Sequence, residues 1–546
     1  MVQKGYHEDR FEEGNASEEE IFSRPGWARE MPYWTISAIL HIFVILIIGS
    51  FILSRKVIEA EKGIILVAKP KNNPPKYDPK KKRAMERKLE ILNQEVIKDP
   101  VIKRQLEEVV TEIPKGTDPN NLADVNLDST MVNEMIGVGG GLAGARGQRI
   151  GKWRAAGKPG SEPASEEAVL AALEWLYRHQ DADGGWKAAG FNNAGVRERR
   201  GLSANKDAAR YPKDTGWEEN DIGVTALAIL AFTGFGHTHM DGEYEHFVDC
   251  LKKAVKYMLK SQTMRTGDPA RDGRYGSGDS EQWIYNHAIA TMAMAELLLM
   301  SNDFKLKRSA REATKLCLRA QNDGRGWRYG IKPGDNDTSV TGWMVLALKT
   351  AKQCRLGLPK EEFRNSFGGA LKWFDYATAS NGKTGYNVPG DEGSRLATGH
   401  PDPYPFSKDL SCMTAVGVLC RLFAGESRKD ASIRSGVDIL SQQPPMWREQ
   451  KDRSLSSINI YYWYYATYAM FQYGGKPWQV WNRKMQRALV DTQRAEYKDD
   501  SPEVDGSWDP IGEWGISGGR VYSTALGAMT LEVYYRFERQ QEGIGL

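Results

Sequence analysis

One turn recurs along this chain, and a turn that recurs at long intervals admits few folds. Gln180-Asp181-Ala182-Asp183-Gly184-Gly185-Trp186 closes an amphipathic helix, and variants of it close further helices as far as the C-terminus. Helices of this kind end in Gln180, Gln262, Gln321, Gln442 and Gln493. Glycine and an aromatic follow as Gly326-Trp327, Gly506-Trp508 and, more loosely, Gly273-Tyr275, while the fourth unit ends Ser380-Asn381 before Gly385-Tyr386. After each turn comes a helix with no polar face, rich in Ala, Gly and Met and carrying one aligned threonine: Thr225, Thr291, Thr341, Thr414, Thr467 or Thr524. Amphipathic helices such as 168–180 and 248–262 thus alternate with apolar ones six times over. A helix wetted on neither face must be covered on both. The apolar set is therefore expected to form an inner ring around an axial cavity, and the amphipathic set an outer ring. Within the turn, the glycines reverse the chain, Trp186 packs between hairpins and Gln180 satisfies helix-end carbonyls.

The Gln-x-x-x-Gly-x-Trp spacing at 180–186 resembles the repeat signature of the squalene cyclase and protein prenyltransferase superfamily, over roughly residues 165–540. The resemblance implies an all-α fold, a six-hairpin α/α toroid at 166–540. It leaves the activity open, because one fold hosts several chemistries. Class II terpene cyclases of this kind use the middle acid of Asp-x-Asp-Asp-Thr-Ala as proton donor. The matching stretch is Gly334-Asp335-Asn336-Asp337-Thr338-Ser339, which puts Asn336 in the donor's place. The prenyltransferase zinc histidine, in Tyr-His-Thr, is met here by Tyr522-Ser523-Thr524, and no Asp-x-Cys precedes it. Three zinc ligands cannot be assembled, so no metal and no cofactor is expected. The Cys-Gly-Glu-Gln run of thioester toroids does not occur.

Before the toroid the composition changes three times. Residues 1–32 are polar and acidic and read as a disordered tail. Tyr33 to Leu53 carry no formal charge over 21 residues, about 31 Å as a helix, which matches the hydrocarbon core of a bilayer. Tyr33 and Trp34 stand at one end and Arg55-Lys56 at the other, as interfacial anchors would. Residues 33–53 are thus expected to be a single-pass transmembrane helix. Residues 54–165 read as a charged, glycine-rich linker containing a short helix. Ser37 and His41 share one face of the span, and polar groups at that depth mark function or partner contacts. Ser37-x-x-x-His41, with the Pro- and Lys-bearing stretch Lys69 to Lys82 beyond it, resembles the membrane segment of TonB-type energy transducers. That resemblance implies a membrane-motor partner at Ser37 and His41 and a periplasmic domain held at the inner membrane. Counting Arg24 and Arg29 against Arg55, Lys56, Lys62, Lys69 and Lys71 favours the opposite orientation. The periplasm is the expectation adopted here. A net charge of +3 from 74 basic and 71 acidic residues gives no reason to expect nucleic-acid binding. The five cysteines show no Cys-x-x-Cys spacing and read as buried small hydrophobes.

With the threonines as a ruler, the slot four residues earlier holds Asp221, His287 and Asp337 in three successive units, then Leu410, Trp463 and Arg520. An imidazole between carboxylates would have a raised pKa suited to general acid/base work. These three are the candidate catalytic residues, with Asp335 at their edge. Asp221 and Asp337 also suit helix capping, and His287 also suits a satisfied core position. Tyr461 and Tyr465 share a helix face and, with Trp463 and Trp343, could wall an apolar cavity; Arg520 and Tyr522 complete the expected substrate-binding set. The expected partner is an apolar small molecule or lipid, isoprenoid-like, which the cavity would bind, with its chemical transformation left open. The competing class is a non-enzymatic envelope scaffold gripping a protein or polymer.

Overall fold

The computed structural model describes residues 163–189, 191, 215–281, 283–391, 411–447, 458–495, 503–512 and 514–536. All lie in the second of the two units into which the chain divides, Pro75–Leu546. The expected tail 1–32, the span 33–53 and nearly all of the linker 54–165 fall outside the described residues. Among the described residues, no helix is long and apolar enough to cross a membrane.

Among the described residues, twelve α-helices alternate in character, with a short thirteenth at the end. The odd-numbered ones are α1 (Pro163–Arg178), α3 (Glu245–Lys260), α5 (Phe304–Ala320), α7 (Lys360–Ala377), α9 (Ala431–Ser441) and α11 (Gly475–Val490). The even-numbered ones are α2 (Asp221–Gly234), α4 (Trp283–Ser301), α6 (Thr338–Gln353), α8 (Cys412–Phe423), α10 (Ile460–Tyr473) and α12 (Gly515–Leu531), which α13 (Val533–Arg536) follows. Each even helix packs on the next, and α12 packs on α2, so the six close into an inner ring. The odd helices lie outside it, and α11 meets α1 to close the second ring. Their faces follow from composition: α3 buries Phe247, Cys250, Leu251, Ala254 and Met258 on one stripe, whereas every residue of α2 after Asp221 is buried. Among the described residues there are no strands, only three isolated bridges.

The repeated turn is a hydrogen-bonded unit. The Gln180 amide donates to Gly184 O at 2.8 Å inside its own turn and to Cys250 O at 2.9 Å on the next outer helix. Gln262 donates in the same way to Gly273 O and to Ser309 O on α5, and Gln321 to Arg325 O and to Ser366 O on α7. Gln493 donates to Gly506 O and, across 325 residues, to Ala168 O on α1 at 2.7 Å. The indoles of Trp186, Trp327 and Trp508 each donate at 2.8 Å to a carbonyl of the preceding outer helix: Leu176, Cys317 and Leu489. The carbonyls that the indoles meet lie in the last turn of their helices, where backbone donors run out, whereas those that the glutamines meet on the next outer helix lie in its first half. Gly184 must be glycine on two counts. Its φ is +95°, and a Cβ there would stand 2.5 Å from Lys253 O on α3. The ring closes at a kink. Gly519 breaks α12 with φ 67°, and the Ser517 carbonyl accepts from Trp217 N and Asn220 Nδ2, both at 2.8 Å.

All six threonines are buried on inner helices. Thr225, Thr341 and Thr524 each accept through Oγ1 from the backbone N–H of the turn tryptophan, at 2.8, 3.0 and 3.3 Å, and Thr414 accepts from Thr384 N at 3.1 Å. They face the outer layer. The expected axial cavity is not found at this depth. Trp343 of α6 stacks on Tyr464 of α10 at 5.8 Å and meets Tyr465 edge-on at 5.4 Å, although α8 stands between those helices in the ring. Tyr464, Tyr465 and Tyr468 have no exposed surface, so the middle of the ring is packed.

Of the five aligned glutamines, Gln442 alone is exposed. Replacing Gln493 with Met leaves the Gly506 carbonyl without its donor and cuts the bond to Ala168 O on α1, and we predict a loss of roughly 1–3 kcal/mol in urea unfolding. Gln442→Met should stay within about 0.5 kcal/mol of the wild type. Equal losses at the two positions would refute the stitching role.

Candidate functional site

At Asp221, His287 and Arg520 the slot four residues before the threonine faces its own hairpin's turn, and Leu410 lies outside the described residues. Asp221 accepts from Ala188 N at 2.9 Å and pairs with Lys187 at 3.3 Å. His287 accepts at Nδ1 from Tyr275 N, 3.3 Å, and directs Nε2 at Ala313 O, 3.1 Å. Both ring nitrogens are thus used by backbone, which fixes a neutral imidazole with its proton on Nε2. Burial pushes its pKa down to about 3. This corrects the expected rise: His287 holds the second turn together, and Asp221, His287 and Asp337 do not form one cluster. Arg520 is buried and donates to Ser507 Oγ at 2.8 Å and to Asp509 at 2.6 Å. Asp509 is shared with Arg494, so Arg520 is spent on an ion triad at the sixth turn and not on a ligand wall. Trp463 packs on Trp447 at 6.0 Å, on the helix side away from Tyr461 and Tyr465. Tyr522 is half-buried on α12.

Asp337 is the exception. It caps α6, accepting from Val340 N at 2.7 Å, and its other carboxylate oxygen accepts from the Tyr386 hydroxyl at 3.3 Å. The Tyr386 hydroxyl also meets that of Tyr329 at 2.6 Å. Tyr386 is the aromatic of the fourth turn, and Ser339, the second residue of α6, bonds the Tyr461 hydroxyl of α10 at 2.9 Å. The Tyr461 ring in turn lies 4.9 Å from Tyr465 and 6.5 Å from Trp343. Tyr285, near the start of α4, brings its ring to 6.0 Å from Tyr329. Asp337, Tyr285, Tyr329, Tyr386 and Tyr461 therefore converge where α4, α6 and α10 begin, at the rim of the inner ring. Tyr285, Tyr329 and Tyr386 remain half-buried there, while Asp337 and Tyr461 are buried.

Burial raises the Asp337 pKa to about 7, and it outweighs the Val340 amide, the Arg328 charge and the Tyr386 hydroxyl, which all act to lower it. Arg328 is engaged elsewhere: it pairs with Asp335 at 2.9 Å and lies over the rings of Tyr329 and Tyr386 at 5.5 and 5.9 Å. Asp335 itself is 60% exposed and faces solvent. Asn336, in the expected donor's place, accepts from Asn322 Nδ2 at 3.0 Å, so it serves the turn. The rim thus offers a carboxyl that is half-protonated near neutrality, linked to two phenols and flanked by aromatic faces. Such a group can take or give a proton at physiological pH. Among the described residues no group of His, Cys, Asp and Glu is arranged to hold a metal. Sequence reasoning missed Tyr285, Tyr329 and Tyr386. Tyr386 was visible only as the aromatic of an irregular turn, and nothing in its spacing tells that it reaches the cap of α6.

No family model matches the chain, and no curated protein matches it. Among solved structures it is similar to an inactive variant of an alpha-1,6-mannanase from Salegentibacter in complex with alpha-1,6-mannotriose, at 11% identity, over 68% of this chain and 99% of that one, with a TM-score of 0.43. An alpha-amylase from Clostridium perfringens matches at 10% identity over 67% and 97%, TM-score 0.42. The type II terpene cyclase MstE from Scytonema matches at 11% identity over 68% and 98%, TM-score 0.39. Similarities of this size carry no activity over to this chain, and the double ring stands on its own contacts.

The raised pKa of Asp337 has a definite sign. The folded state holds its proton more tightly than the unfolded chain, so the associated stability is full below about pH 4 and is lost as pH rises through 7. Asp337→Asn keeps the cap acceptor and cannot ionise. We predict that between pH 5 and 8 the variant gains roughly 2–3 kcal/mol over the wild type in urea unfolding. A constant difference across that range would show that burial does not dominate the site.

Proposed function

We propose that the rim of the inner ring binds a hydrocarbon-rich, isoprenoid-like ligand and that Asp337 exchanges a proton with it. The observation that carries this reading is the buried Asp337 carboxyl, raised to about 7, beside the aromatic set of Tyr461, Tyr465 and Trp343. Aromatic faces supply large apolar contact area and can stabilise positive charge. The same pKa limits the chemistry. Protonating an alkene calls for a strong acid, and a carboxyl raised to about 7 is a weaker one than usual, in keeping with Asn336 at the donor position. General acid/base work at a polar group of the ligand fits Asp337 better than squalene-type cyclisation.

Titrating the full chain with farnesol and following tryptophan fluorescence tests the reading. Saturable quenching is expected. Tyr461→Leu should weaken it by about tenfold, whereas Tyr376→Leu, at an exposed outer-helix position, should not. The pH profile of binding should break near 7 in the wild type and not in Asp337→Asn. Quenching that never saturates, or that falls equally in both tyrosine variants, would remove the rim as a ligand site.

The cellular setting we propose rests on the sequence: residues 33–53 anchor the chain in the inner membrane, the toroid is periplasmic, and Ser37 and His41 face a membrane-motor partner. Cysteines placed in 137–160 should react with an impermeant maleimide in intact cells. Reaction only after lysis would put the toroid in the cytoplasm.

A further inference from the structure

The Tyr285 hydroxyl is buried and has no hydrogen-bond partner. The neighbouring hydroxyls of Tyr329, Tyr386 and Tyr461 are all bonded, and Tyr285 shares its unpaired state with Tyr465 deeper in the ring. A buried hydroxyl left unpaired costs on the order of 1–3 kcal/mol, and such groups are rare in folded proteins. Phenylalanine would fill the same volume without that cost. The Tyr285 ring packs beside Tyr329 at 6.0 Å, and the fields of Asp337, Tyr386, Tyr329 and Tyr461 all act on its phenol, so the free oxygen sits among the groups that converge on Asp337.

We infer that the Tyr285 hydroxyl is a ligand-binding donor, and that the ligand carries an oxygen, as an alcohol or a carbonyl, at the end that enters the rim. This rests on the rim being a ligand site, as proposed above, and adds the chemical class. A pure hydrocarbon would leave the Tyr285 oxygen unpaired in the bound state as in the free one. An oxygen-bearing chain pairs it, and places its polar end beside the Asp337 carboxyl, where a weak acid can act on a heteroatom and not on an alkene. Selection by a buried donor is sharper than selection by apolar fit, because the ligand lacking the oxygen leaves the donor unsatisfied.

Farnesol and farnesene share a carbon skeleton and differ by the hydroxyl, so they serve as the probes, titrated into the full chain. Wild type should bind farnesol about tenfold more tightly than farnesene, the span of one hydrogen bond. Tyr285→Phe should lose that preference, keep its farnesene affinity, and unfold at equal or higher urea than the wild type. The retained farnesene binding shows that the variant is folded and its rim intact. Two results overturn the inference while leaving the rim as a site: equal wild-type affinities for the two probes, or an undiminished preference in Tyr285→Phe. Binding of neither probe overturns the reading of the rim, and this inference falls with it.

Discussion

The double ring depends on one amide. A glutamine at the end of an outer helix donates both of its N–H groups, one to its own turn and one to the backbone of the next outer helix. The outer helices are short, and a helix end carries four carbonyls with no partner inside the helix. Burying such an end between two hairpins is tolerable only if side chains supply the missing donors. The tryptophan indole does so at Leu176, while the glutamine bonds its own turn and the first half of the next outer helix. The indole therefore pairs an end carbonyl, and the glutamine sets the spacing between hairpins. Gln493 repeats the bond to Ala168 and converts a row of hairpins into a closed ring.

Closure explains why the rim is where chemistry can gather. All six inner helices begin at the turns, so their first residues crowd one end of the ring, and backbone N–H groups there need acceptors. In most units the acceptor or donor is spent on the turn itself, as with Asp221, His287 and Arg520. At the junction of the third and fourth units the cap is buried more deeply, and its second carboxylate oxygen meets a phenol from the next turn. Burial without a cation in direct contact is what lifts Asp337 toward neutrality. A structural cap has become a titrating group through its surroundings and not through its residue type.

Much of this was legible from the residues. The alternation of amphipathic and apolar helices shows which surfaces must be covered, because burying polar side chains is costly and composition records that cost. The aligned threonines marked a common height and proved to be the acceptors for the turn. The glutamines were read as partners of helix-end carbonyls, whereas they bond a turn carbonyl and a mid-helix carbonyl of the neighbouring hairpin. Gln442 aligns as well as the others and is exposed. The His287 slot was misread because height along a helix does not give the direction a side chain faces. That direction depends on how the helix is rotated in its packing.

The sequence by itself determined the inner and outer helices, the turn that joins them and the apolar character of the ring, since each follows from the polarity of residues at helical spacing. Only the tertiary structure decided that the axis is packed across by Trp343 and Tyr465, and that His287 is spent on Tyr275 and Ala313. It alone brought Tyr285, Tyr329, Tyr386 and Tyr461 around Asp337. Those contacts join residues from different hairpins, as far apart as Ser339 and Tyr461, and closing the ring is what makes them neighbours.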